Sequence, residues 1–195
     1  MAYYSTRAIR NIPMNEIEAI ESCLRGSGEG FRPIVDAYKA PLMALAVNIL
    51  GNREDAEDAC QDAFIQAFRN LSRFDPELSL RNWMYTILYR RCLDRIKKRR
   101  RFLAFLNKEA PKQAAAERTG ACRKPSGPDI SQKILNALSA KEKLVLSLWA
   151  NEDFTAAEIA EVLGCAASTA RVTLFNARKK IKTLLEKGHE TLGNR

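Results

Sequence analysis

Hydrophobic positions along this chain recur at intervals of three and four, the spacing that places side chains on one face of a helix. Ile34, Tyr38, Leu42, Leu45 and Ile49 continue one such stripe from Phe31, and Gly51-Asn52 then supplies a stop signal. A second stripe follows through Ala56, Ala59, Cys60, Ala63, Phe64, Ala67, Phe68 and Leu71. It predicts an amphipathic helix whose first turns are acidic, as the helix dipole favours. Asp75-Pro76 within RFDPELSL breaks the pattern, and a third helix resumes from about Arg81 through Trp83, Ile87, Leu88 and Ile96 into a basic run. Past Leu106 the periodicity lapses into PKQAAAERTGACRKPSGP, which reads as a flexible linker. Ile130, Ile134 and Leu138 then start a short helix. Ser139 and Glu142 have the spacing of a capping box, which opens a helix carrying Leu144, Val145, Leu148 and Trp149. Thr155 and Glu158 repeat the device for a short helix stopped by Gly164, and a longer basic helix is expected from Ala167 to Leu185. No segment alternates with the period of a strand. The expected fold is all-α: two small helical domains joined by a flexible linker, with an extension over residues 1–15, domains over 16–101 and 129–188, the linker over 102–128, and a tail over 189–195.

Composition narrows the class. The 195 residues are 46% hydrophobic, enough to give each of two small domains a core. Lys and Arg number 32 against 23 Asp and Glu, a formal charge of +9 that favours a polyanionic partner such as nucleic acid, although an anionic membrane surface would satisfy the same arithmetic. The five cysteines are widely spaced with no C-x-x-C pair, and the one histidine is His189, so reduced thiols in a cytoplasmic protein are expected. No apolar run approaches the roughly 18 residues of a membrane span, and the first twenty residues lack the apolar stretch of a signal peptide. Neither membrane insertion nor export is expected.

Charge is also segregated along the chain. Residues 54–62 read EDAEDACQD, five carboxylates without a cation, whereas residues 90–101 carry eight cations and the single acid Asp94. The basic run follows Phe74, Trp83, Tyr85 and Tyr89, and aromatics beside cations suit unstacked bases next to phosphates; a solvated surface is the plain alternative, and Trp83 falls in step with Ile87 as a core residue would. TAAEIAEVLGCAASTARVTLFNARKK has the layout of a helix-turn-helix, with Ile159, Val162, Leu163, Ala170 and Leu174 spaced as its internal core and Ser168, Thr169 and Arg171 on a helix able to enter a major groove. Arg178 and Lys179 lie farther along, where phosphates are met. Asp55, Asp58 and Asp62, with Gln61 and Gln66 around a seam of Ala and Phe, offer a cationic protein partner rim charges and hydrogen bonds. As a metal site they are poor, since acids on one helix without a converging segment rarely close an oxygen cage.

The order of these features resembles a bacterial extracytoplasmic-function sigma factor of the sigma-70 family. NREDAEDACQDAFIQAF is similar to the family's region-two helix, which docks on the clamp helices of the polymerase beta-prime subunit. That implies polymerase-binding roles for Asp55, Asp58, Gln61, Asp62, Phe64 and Gln66. RFDPELSL and RNWMYTILYRRCLDRIKKRR resemble the segments that capture a flipped base and melt and read the downstream promoter element, implying DNA contacts from Phe74, Asp75, Leu80, Trp83, Tyr85, Arg90, Arg91, Arg95 and Lys98. The segment from Leu138 to Ile181 resembles region four, which reads the upstream element and touches the beta flap; the residues implied are Ser168, Thr169, Arg171, Val172, Phe175, Arg178 and Lys179. The linker is too short for the extra domain of housekeeping sigma factors. Arg90 stands where members often have Asn, Ala166 where Ser often caps the recognition helix, and Val172, Thr173, Phe175 and Asn176 replace a commonly more basic stretch.

The implied function is to bind core RNA polymerase and direct promoter recognition, melting and initiation at a specialised set of promoters, with promoter DNA and an anti-sigma factor as further partners. Acids would face polymerase and cations DNA. No cofactor or metal is expected, and with no paired nucleophile and base and no G-x-x-x-x-G-K motif the chain reads as a non-enzyme whose catalysis stays with polymerase. Two rivals remain: a stand-alone helix-turn-helix regulator that dimerises through its N-terminal domain, and a metal-dependent nuclease built on Asp55, Asp58 and Asp62.

Overall fold

The structure, a computed structural model, describes residues 14–26, 28–75, 78–109, 134 and 136–192, with no strand among them. Helix α1 spans Met14–Leu24, a 3-10 turn at Gly28–Phe31 leads into α2 over Arg32–Leu50, and α3 covers Arg53–Asn70. A second 3-10 turn, Leu71–Arg73, precedes α4, which runs Leu80–Glu109. The C-terminal unit holds α5 (Ala140–Asn151), α6 (Ala156–Leu163) and α7 (Ala167–Leu192). The expected short helix from Ile130 lies largely outside the described residues, but Ile134, Asn136 and Ala137 are helical and Leu138 is buried.

Helix ends follow local chemistry. Gly51 ends α2 in the left-handed conformation (φ 69°), with its N–H donating to the Val47 carbonyl, and the Asn52 side chain accepts from Glu54 N–H at the head of α3. Both predicted capping boxes form: Ser139 and Thr155 accept from the backbone N–H of Glu142 and Glu158, whose carboxylates accept in return. Each cap stabilises its helix by roughly 1 kcal/mol. Gly164 (φ 63°) ends α6, giving the turn between the paired helices. Helix α4 runs eight residues past the expected boundary at residue 101, because RFLAFLNKE contains neither Gly nor Pro and every residue in it tolerates a helix. Helix α7 likewise continues beyond Leu185.

The core forms along the predicted stripes. Ile34, Leu42, Leu45, Ala46 and Ile49 of α2 meet Ala56, Ala59, Ala63 and Ala67 of α3, the small alanines letting the two helices approach, and Met84, Leu88 and Cys92 of α4 close the bundle. Helix α2 with its leading turn, Gly28–Leu50, reaches a mean hydropathy of 1.2 and is long and apolar enough to cross a membrane by composition. That corrects the expectation that no segment approaches a span. Its apolar side is the inner face of this bundle. Burial pushes Cys60 up to about 11, and burial with Cys60 nearby pushes Cys92 up to about 12, so both behave as small hydrophobes and stay thiols near neutral pH.

In the C-terminal unit Leu144, Val145 and Leu148 of α5 cluster with Ile159 and Val162 of α6 and Ala170 of α7, and Ala177 of α7 is fully buried as well. The two units also touch. Helix α6 lies against α4 and α5 against α2, so the buried apolar residues of both belong to one continuous cluster.

Candidate nucleic-acid interface

On α3, Asp58, Gln61 and Asp62 are exposed, whereas Asp55, Phe64 and Gln66 are half-buried, with Phe64 packed on the core. Asp55 accepts from the side chain of the capping Asn52 at 3.4 Å. Ile65 and Phe68 continue the exposed strip at three- and four-residue spacing and are 41% and 47% accessible. Neither belongs to the polymerase-binding set that the resemblance implies, and Phe68 falls in the predicted core stripe; its ring packs edge-on against Phe31 at 5.3 Å and leaves its outer part open. The strip is thus acidic at one end and apolar at the other.

The acids and cations are not kept apart as expected. Arg95 of α4 reaches across to α3, its Nη1 2.6 Å from Asp58 Oδ2 and its Nη2 2.9 Å from Asp62 Oδ2. The hydrogen bond to Asp62, reinforced by Asp58 against the opposing effect of burial, raises the Arg95 pKa. Asp62, Arg91, Asp94, Arg95, Lys98 and Arg101 line one shallow groove of about 250 Å³. Arg91 is half-buried and pairs with Asp94 at 3.6 Å, while Arg90, Lys97, Lys98, Arg99, Arg100 and Arg101 present their charges to solvent.

Among the residues expected to touch downstream DNA, Leu80 and Tyr85 are fully buried and Phe74 nearly so. In this conformation all three side chains belong to the core. Leu80 opens α4 facing inward, Phe74 seals the end of the turn after α3, and Tyr85 is covered by the C-terminal unit through Phe154, ring to ring at 5.2 Å. Trp83 is half-buried with its ring 5.0 Å from that of Phe74, so a core contact and an accessible edge coexist in one side chain. Asp75 is exposed. The accessible downstream set is therefore Asp75, the edge of Trp83, Arg90, Lys98 and, in part, Arg91.

The upstream set is brought together without exception. Ser168, Thr169, Arg171, Val172, Phe175, Arg178 and Lys179 are all exposed on α7, with Val172 and Phe175, three residues apart on one face, 59% and 67% accessible. Arg171, Phe175, Arg178, Lys179 and Lys182 share an open groove of about 620 Å³ with Leu174. Arg178 lies 4.8 Å over the Trp149 ring, which braces its guanidinium against α5. Among the described residues no group of three His, Cys, Asp or Glu side chains is placed to hold a metal ion.

Comparison with known proteins follows the same division. The Sigma-70 region 2 family model matches residues 34–102 and the Sigma-70, region 4 model matches residues 131–181. The ECF RNA polymerase sigma factor SigW of Bacillus subtilis is 37% identical over 81 residues, 42% of this chain and 43% of that protein, so the alignment spans less than half of that relative. The ECF RNA polymerase sigma factor EcfG of Rhodopseudomonas palustris is 28% identical over 164 residues, 80% of this chain and 86% of the relative. Among solved structures, the sigma factor RpoE from Bartonella quintana, in complex with the anti-sigma factor NepR, superposes with a TM-score of 0.65 at 24% identity over 81% of this chain and 98% of that one, a likeness of fold. With region 2 matched on the bundle that carries the acidic strip and the basic helix, and region 4 matched on the helix-turn-helix, the chain belongs to the sigma-70 family as an extracytoplasmic-function sigma factor.

Proposed function

We propose that this chain binds core RNA polymerase through the exposed strip of α3 and directs initiation at a specialised set of promoters, reading the upstream element with α7 and the downstream element with the exposed face of α4. The observation that carries the reading is the complete exposure of the seven recognition-helix residues on a unit joined to a bundle with both an acidic and a basic surface. A groove-reading helix needs that exposure; a structural hairpin would cover Val172 and Phe175. The polymerase surface consists of Asp58, Gln61, Asp62, Ile65 and Phe68, with charges at the rim and apolar groups beside them. Arg90, Lys98 and their cationic neighbours track phosphate, and the accessible edge of Trp83 meets an unstacked base. The chain acts in the cytoplasm, contributes no catalytic group, and is held in check by an anti-sigma factor that competes for these same faces.

Two experiments test the reading together. The chain should co-elute with core polymerase on gel filtration, and footprints on promoter DNA should appear with polymerase and vanish without it. A stand-alone regulator would instead protect an operator by itself and ignore polymerase.

A further inference from the structure

Side-chain chemistry on α7 is sorted by helix face. Ser168, Val172, Phe175 and Lys179 follow one another at steps of four, three and four, so they form one line along the helix, and all are exposed. Ala170 and Ala177, on the opposite side, are buried. The middle of the outward line is apolar. Arg171 and Arg178 stand to one side of it, lining a groove with Lys182, and the Arg178 guanidinium lies over the Trp149 ring. Thr173, next to Val172, turns its hydroxyl onto its own helix, donating to the Thr169 carbonyl at 2.8 Å. Within the line itself the first cation is Lys179, one turn past Phe175.

An apolar patch in a major groove discriminates between base edges. Guanine presents O6 and N7 there, cytosine and adenine an amino group, and thymine alone a methyl. Val and Phe side chains packed on a G·C edge would take its donors and acceptors out of water without replacing their hydrogen bonds. Packed on a 5-methyl group, they remove apolar surface from water on both sides of the contact. The spacing suits neighbouring base pairs: residues three apart rise about 4.5 Å along a helix, against about 3.4 Å between successive bases of one strand. Asn176, exposed beside Phe175, adds an amide of the kind that pairs with both N6 and N7 of adenine.

We propose that Val172 and Phe175 determine promoter specificity by packing on the 5-methyl groups of thymines at two neighbouring base pairs, so that the upstream element carries A·T pairs where the centre of α7 meets it. The cations beside the patch hold the helix on the backbone, and the patch itself rejects G·C pairs through the hydrogen bonds they would lose. This rests on the sigma-factor reading above.

The test uses holoenzyme assembled from the full chain and core polymerase, with the free chain in parallel. Selection from duplex fragments randomised over the upstream element should return thymine, on either strand, at two neighbouring base pairs. Replacing each of those thymines by deoxyuridine removes the methyl and keeps the base pair; in the wild type each replacement should lower affinity by on the order of threefold. Val172→Ala should abolish the loss at one position and Phe175→Ala at the other, while Lys179→Ala, weaker on every sequence, should keep both. Val172 and Phe175 are exposed, so truncating them leaves the core intact, and the deoxyuridine comparison on the wild type needs no variant. G·C pairs at the centre of the selected element would overturn the proposal. So would a wild-type affinity unmoved by deoxyuridine, or a loss that persists when both residues are alanine. If only the free chain selects a sequence, the sigma-factor reading falls, and deoxyuridine in that sequence still judges the methyl contacts; if neither preparation selects one, both fall.

Discussion

Nη1 of Arg95 lies 2.6 Å from Oδ2 of Asp58, joining the basic helix to the acidic one. The same guanidinium holds Asp62 through Nη2, so one side chain fixes two carboxylates one turn apart on α3. Two of the acids assigned to polymerase are thereby presented in a defined geometry, and one of the cations assigned to DNA is occupied.

Substitution at Arg95 separates those roles. A phosphate contact needs charge, which Lys supplies; a fork bridging two carboxylates needs the guanidinium, which Lys lacks. Arg95→Lys should therefore weaken holoenzyme assembly nearly as much as Arg95→Ala, with a stability change of at most about 1 kcal/mol. Titration of labelled core polymerase checks this. Full retention of affinity in Arg95→Lys, with loss only in Arg95→Ala, would assign the residue to simple charge.

On the recognition helix the contacts divide by position. Arg171 stands near the start of α7, where base edges are reached, and Arg171→Ala should lower affinity for the preferred upstream element by about 1 to 3 kcal/mol while flattening discrimination among variants of it. Lys179→Ala should weaken all sequences alike and reduce the salt slope by about one. Matched and scrambled upstream elements, measured at several salt concentrations, distinguish the two. Equal losses on both DNAs for Arg171→Ala would move that residue to the phosphate group.

Leu80 tests the boundary between core and interface. It is fully buried at the first position of α4, so Leu80→Ala should cost about 2 to 5 kcal/mol of stability, read as a lowered Tm, while the remaining folded protein binds DNA normally. A variant of unchanged Tm that has lost downstream-element binding would restore Leu80 to the DNA surface.

Glu16 predicts a pH dependence. Its carboxyl is buried on α1, accepts from the Tyr38 hydroxyl at 2.9 Å through Oε1, and leaves Oε2 without a partner. Burial raises its pKa, with the Tyr38 hydrogen bond opposing. A carboxyl whose folded pKa exceeds the unfolded one favours the native state when protonated; that contribution is complete below the unfolded value and is lost as pH rises through the folded value. Glu16→Gln should therefore raise the Tm at pH 8 by a few degrees, corresponding to about 1 kcal/mol, and the advantage should shrink toward pH 4.5. Thermal melts across that range decide it, since a gap that widened in acid would reverse the sign.

What the sequence made legible was local. Gly51-Asn52, Ser139 with Glu142, Thr155 with Glu158, and Gly164 each carry their geometry within four residues, and the apolar stripes of α2 and α3 lie on the core except at Phe68, whose outer part is open. The partners of Arg81, Asn82 and Arg95 were not legible, because Glu152, Glu161, Asp58 and Asp62 lie 33 to 79 residues away and no spacing rule links them. The burial of Tyr85 is not legible for the same reason: its cover, Phe154, comes from the other unit. In the recognition helix everything needed was on one continuous element, and there residue type and position agreed with exposure throughout.

The central claim concerns initiation, and run-off transcription by core polymerase from a randomised promoter library, with and without this protein, tests it most directly. The account predicts transcripts only when the chain is present, from a small subset of templates sharing two short elements at constant spacing. Identical transcript pools with and without the chain, alongside footprints made by the chain alone on duplex DNA, would contradict it and establish a regulator that works without polymerase.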